Sequence, residues 1–207
     1  MTELSVFLSY AHANKLEADA VDKLLQLNNI KVVRDIRDLK YGQDIQTYMQ
    51  SASKYRYIVI ILSDQYLRSV NCMKEALEVL NSHHFSRKTL PIVLDNAKDI
   101  TDIDIRARYF TYWKEEICRL TANLKTGSTD VSVRLNDVRK IEAQLQDFIH
   151  EVCKMRFLLY SELRTKGDQA IIERIKEGGT QKTYTSPSAD IFFYNYSNFN
   201  IIFYQFK

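Results

Sequence analysis

Short apolar runs rich in β-branched and aromatic residues alternate along the chain with longer stretches in which apolar positions recur every three or four residues. The short runs are Leu4 to Ser9, Ile30 to Val33, Tyr57 to Leu62 and Leu90 to Leu94, each bounded by polar or turn-forming residues, and they predict strands. Tyr57 to Leu62 is apolar at six consecutive positions, as expected of a central strand covered on both faces. From Lys15, the residues Leu16, Ala20, Leu24 and Leu27 mark the apolar stripe of an amphipathic helix that ends at Asn28 and Asn29. A charged loop, RDIRDLKYGQD, follows the second strand, and a short helix is expected after it, to Ser51. Ser63 and Asp64 cap a helix carried by Leu67, Val70, Met73, Leu77 and Leu80. Strands and helices in this alternation need crossover connections, hence an α/β fold with a mostly parallel, doubly wound sheet of about five strands and helices on both faces.

Beyond Asp95 the pattern loosens, and Tyr109, Phe110, Tyr112 and Trp113 form an aromatic cluster read as a last, edge strand. Glu115 to Leu124 and Val131 to Leu163 carry helical periodicity, the second through Val138, Ile141, Leu145, Phe148, Ile149 and Val152. A final short helix closes at Gly178 and Gly179. The domain is therefore placed at residues 1–175 and a tail of different composition, rich in Tyr, Phe and Asn, at 176–207. Alternating aromatics in IFFYNY and IIFYQF suit a β-hairpin, which would be adhesive unless it pairs with a sheet edge or another subunit; a membrane-interface role lacks a basic face.

Composition narrows the function classes. With 45% hydrophobic and 27% charged residues the chain is an ordinary globular one, and five Gly and two Pro argue against a turn-rich β-sandwich. A net charge of +3, from 29 basic and 26 acidic side chains with no polybasic run, gives no footprint for direct nucleic-acid binding. Three separated cysteines indicate neither a disulfide framework nor a thiolate metal site, and no apolar run approaches the length of a membrane span. The N-terminus resembles no targeting peptide, so the expected location is cytoplasmic. The loop after the first strand, SYAHANK, has no glycine, which excludes both the dinucleotide fingerprint and the P-loop. No GxSxG surrounds a serine, and His83, His84 and His150 stand at no metal-ligand spacing, so no metal or resident cofactor is expected.

Four segments, VFLSYAHAN, RDIRDLKYGQDI, YIVIILS and SDQYLRSVNCMKEALEVL, together resemble in order and spacing the Toll/interleukin-1 receptor (TIR) domain family, especially its bacterial members. Coverage extends to about Ile175, leaving the tail aside. The resemblance implies a flavodoxin-like sheet and one of two functions: cleavage of the N-glycosidic bond of NAD+, or non-catalytic assembly through TIR–TIR contacts. The family's catalytic glutamate follows a pattern close to SxxCxxE, matched here by Ser69, Cys72 and Glu75, which makes Glu75 the expected catalytic residue. Tyr10, Ala11 and His12 match positions lining the nucleotide pocket, and Asp35 to Gly42 match the loop that gates it. Where many members carry an aromatic residue one turn before the glutamate, this chain has Asn71, with Tyr10 and Tyr66 as alternative stacking surfaces. What the resemblance implies is an NAD+ glycohydrolase, with NAD+ as substrate, nicotinamide and ADP-ribose or a cyclic isomer as products, activation as a homo-oligomer or filament, and a setting in bacterial antiviral defence.

The chemistry is compatible with one carboxylate. Nicotinamide leaves a cationic pyridinium as a neutral molecule, so no general acid is required, and a carboxylate can stabilise the oxocarbenium-like ribosyl transition state. The residues alone also admit plainer roles. Beside Lys74 and Glu78, Glu75 reads as a solvated glutamate; Cys72 reads as core, Ser69 as bonded to its own helix, His12 as a cap, Asp35 as a turn residue and Trp113 as packing.

Overall fold

A computed structural model of the chain describes residues 4–34, 55–81, 85–124, 129–163 and 168–177. Five parallel strands form one sheet in the order β2-β1-β3-β4-β5: β1 (Ser5–Tyr10), β2 (Lys31–Arg34), β3 (Tyr57–Leu62), β4 (Thr89–Val93) and β5 (Leu158–Leu159). The doubly wound α/β architecture expected from the alternation, and the flavodoxin-like sheet implied by the resemblance, are present. Central strand β3 is buried at all six positions. Because strand side chains alternate between faces, Ile58, Ile60 and Leu62 join Phe7 and Val33 in one core, while Tyr57, Val59 and Ile61 join Val6, Leu8 and Val32 in the other.

The first core is closed by α2 (Asp64–Leu67), α3 (Val70–Leu80), α4 (Phe85–Lys88), α5 (Ile103–Asn123) and α6 (Thr129–Lys154). The second is closed by α1 (Lys15–Leu27) and α8 (Asp168–Glu177), with the single turn α7 (Tyr160–Glu162) leading into Leu163. The α1 helix stops in a Schellman turn: Ile30 N–H bonds Leu25 C=O, Asn29 N–H bonds Gln26 C=O, and Asn29 sits at φ 60°. Asparagine tolerates that left-handed position, and the turn sends the chain directly into β2.

Three expectations are corrected. The stripe Leu16, Ala20, Leu24 and Leu27 is not the main core face: Leu16 and Leu27 are 82% and 74% exposed and Leu24 is only partly buried against the second core, whereas Ala18, Val21, Asp22 and Leu25 are fully buried. The core face carries an aspartate, which disguises it in a count of apolar positions; Arg34 at the end of β2 makes that burial possible. The aromatic cluster at 109–113 is no strand but the middle of α5. Asp102 starts that helix by accepting from the N–H groups of Asp104 and Ile105, and Tyr109, Trp113 and Leu120 then line one helical face. The fifth strand is Leu158–Leu159, inside the stretch expected to be helix, paired through Ile92 with Leu158 and Val93 with Leu159. Two residues are too few to show a strand period. The short helix expected before Ser51 lies outside the described residues, as does the tail beyond Glu177.

Candidate functional site

The helical stretch after β3 is divided in two by its serines. Ser63 caps α2 by accepting from Tyr66 N–H at 2.9 Å, and Ser69 caps α3 by accepting from Cys72 N–H at 3.4 Å, so the helix expected to be continuous breaks at Arg68 and Ser69. The α5 helix satisfies carbonyls at the break: Trp113 Nε1 donates to Leu67 C=O at 3.0 Å and Tyr112 donates to Arg68 C=O at 3.2 Å. With α3 phased this way, Cys72, Glu75, Ala76 and Val79 face inward, and Glu75 is only 5% exposed. The solvated surface glutamate admitted by its charged neighbours is not what forms.

A buried carboxylate requires hydrogen-bond donors. Ser9, near the carboxyl end of β1, donates its hydroxyl to Glu75 Oε2 at 2.7 Å, and Tyr66 Oη lies 2.8 Å from Ser9 Oγ. A serine hydroxyl has one proton, so with that proton given to Glu75 the Tyr66 hydroxyl is the donor to Ser9. Burial above all, with the nearby Cys72 sulfur and Glu75 carboxylate adding to it, pushes the Tyr66 phenol well above its ordinary pKa, which keeps its proton in place. Cys72 Sγ meets Tyr10 C=O at 3.7 Å, joining α3 to the last residue of β1. The result is a relay from Tyr66 through Ser9 to Glu75 at the strand ends, where open parallel sheets bind ligands.

The expected residues divide accordingly. Tyr10, Cys72 and Glu75 come together, while Ala11 is buried beside them in the core. Ser69 caps the helix that carries Glu75; Asn71 and His12 are exposed. Asp35 and Gly42 lie outside the described residues. Tyr66 is completely buried, so its ring offers no open stacking surface, and Tyr10 is 7% exposed under the Arg34 guanidinium, 4.7 Å from its ring centroid. Sequence reasoning missed Ser9 and the role of the Tyr66 hydroxyl; the available signal was polar Ser9 closing an otherwise apolar strand.

A second polar group adjoins the first. Arg34 binds both Asp19 and Asp22, the latter at 3.2 Å, and Gln26 adds a bond to Asp22 at 2.7 Å. Burial opposes the Arg34 charge, but hydrogen bonding to Asp19, Tyr10 and Asp22 outweighs it and raises the guanidinium pKa. These residues, with His12, Lys15 and Lys23, line a cavity of about 450 Å³ along the carboxyl ends of β1 and β2. Its mixed charges suit a polar ligand. Among the described residues no group of three His, Cys, Asp or Glu side chains stands close enough to hold a metal ion, and no helix is long and apolar enough to cross a membrane.

Comparison with known proteins agrees with this architecture. A solved structure of the activated Roq1 resistosome directly recognizing the pathogen effector XopQ contains TIR domains similar to the chain, at 18% identity and a TM-score of 0.52, over 86% of this chain and 99% of that one. At that identity the likeness shows the fold alone. No curated protein matches the chain. The sequence model of the TIR domain family matches residues 6–121, more than half of the chain and the whole span from β1 to the end of the Trp113 helix face. The chain belongs to the TIR domain family.

Proposed function

We propose that this TIR-domain chain is an NAD+ nucleosidase that cleaves the nicotinamide N-glycosidic bond, with Glu75 as the catalytic carboxylate, giving nicotinamide and ADP-ribose or a cyclic isomer. The observation that carries the proposal is the buried Glu75 carboxylate at the strand ends, fronted by the Ser9 hydroxyl at 2.7 Å. A carboxylate held in a water-poor site by an oriented donor can stabilise positive charge developing on a ribose, because little reorganisation is needed as that charge appears. The neighbouring cavity, with Tyr10, His12, Lys15 and Arg34 on its walls, would take the nucleotide's phosphates and base. Glu75 is covered at 5% exposure, so turnover requires an opening, and self-association of TIR domains is the trigger we assign to it. Such a switch suits antiviral defence signalling in a bacterial cytoplasm.

A second function, assembly without chemistry, is favoured by the outward stripe of α1. Leu16 and Leu27 leave apolar surface on the helix face opposite the core, suited to contact with another TIR domain. One experiment separates the two: the full chain is incubated with NAD+ over a concentration series, with products resolved by chromatography, beside Glu75→Gln and Leu16→Glu/Leu27→Glu variants. Nicotinamide release that rises with protein concentration and disappears in Glu75→Gln supports catalysis. Intact NAD+ in demonstrably assembled protein, or equal release by Glu75→Gln, overturns it.

A further inference from the structure

We propose a second ligand site at the opposite end of the sheet, for a small amphiphilic anion consisting of a carboxylate or phosphate head on a compact apolar body. A cavity of about 430 Å³ opens where Thr89 begins β4 and Leu158 begins β5, covered by α8 through Ile171 and Arg174. That volume lies in the range of small-molecule sites. Its wall is largely apolar, with Pro91, Leu158 and Ile171 contributing, and it carries two guanidinium groups, Arg156 and Arg174, but no acidic side chain among the described residues. Arg174 is braced over the Tyr57 ring at 5.8 Å, and neither arginine forms an ion pair with a described carboxylate.

Thr89 supplies the independent observation. It is 2% exposed, lines the cavity, and its hydroxyl has no hydrogen-bond partner among the described residues. An unmade hydrogen bond of this kind destabilises the empty protein, and a strand position beside β-branched neighbours accepts valine at no steric cost. Threonine here therefore has a use that the unliganded fold does not show. The Thr89 hydroxyl is covered in the empty cavity, so a head group that accepts from it and from the two guanidinium forks enters as the wall yields, while the apolar body rests on Leu158 and Ile171. The site is independent of the reaction proposed for Glu75, which lies at the carboxyl end of the sheet.

The test titrates the full chain by calorimetry with octanoate, octyl phosphate and 1-octanol. At least one of the two anions is expected to bind saturably and about tenfold or more tighter than the neutral alcohol, and the stronger of them identifies the head group. Arg156→Gln/Arg174→Gln, with both changes at exposed guanidinium groups, is expected to reduce that anion to the affinity of 1-octanol. Thr89→Val is expected to raise the melting temperature of the free protein while weakening the anion several-fold. Absence of saturable binding by both anions, equal affinity for the alcohol, or a double variant that binds like the native chain would each overturn the site.

Discussion

Asp22 and Glu75 are both carboxylates on helices packed against the sheet, 3% and 5% exposed, and they are buried in different ways. Asp22, on one face, meets the Arg34 guanidinium and the Gln26 amide; Glu75, on the other, meets a serine hydroxyl that is itself held by a tyrosine. The first arrangement ties the end of β2 to α1 through opposite charges and stabilises the fold. The second orients a carboxylate through hydroxyl groups, an arrangement suited to answering charge brought by a substrate. Burial of an acid therefore does not by itself mark a functional group; the partners described for the two differ, an opposite charge for Asp22 and a hydroxyl for Glu75.

Substitution at each site sharpens that contrast. Glu75→Gln is nearly isosteric and is expected to lower the rate of NAD+ cleavage by about 10²–10³-fold, the scale of losing one electrostatic stabiliser, with the thermal melt little changed. Asp22→Ala leaves a buried guanidinium short of a partner and is expected to cost about 3 kcal/mol in a denaturant melt; Asp22→Leu combined with Arg34→Met is expected to recover most of it. If Asp22→Ala melts like the native chain, the charged pair is not the fastening described here. Tyr66→Phe removes the donor to Ser9 and is expected to cost about 1 kcal/mol of stability and to slow NAD+ cleavage several-fold. Native-like values of both would show that the relay orients nothing.

The smallest effect concerns pH. Asp19 is held below its ordinary pKa of 3.8 chiefly by its hydrogen bond from Arg34, with Lys15 adding to it. A carboxylate with a depressed folded-state pKa stabilises the fold above its unfolded value, and that contribution fades as the pH falls through the depressed one. Asp19→Asn should accordingly lower the melting temperature slightly at pH 7, and the difference from the native chain should shrink steadily below pH 3.8.

The strand-and-helix alternation, the buried central strand and the inward-facing residues of α6 were legible because long periodic segments state their own geometry. What was not legible depended on distant partners. Asp22 lies on the core face of α1 only because Arg34, twelve residues on, meets it there, and a hydrophobicity count reads that face as polar. The Tyr109 to Trp113 cluster has strand-like composition, yet its steps of four fit the helix that Asp102 starts. At the candidate site, the position of Glu75 followed from a motif, whereas its burial and the hydroxyl chain in front of it required β1 and α2 to be placed in space.

Trp113 is the sole tryptophan of the chain, and its indole N–H ends on the carbonyl of Leu67, just ahead of the break from which the Glu75 helix departs. Tryptophan emission of the unlabelled protein, excited at wavelengths tyrosine does not absorb, thus originates at one joint. A rearrangement that moves this joint in uncovering the carboxylate would strain or release that indole, so the emission maximum offers an optical gauge of it, readable without dye or engineered probe.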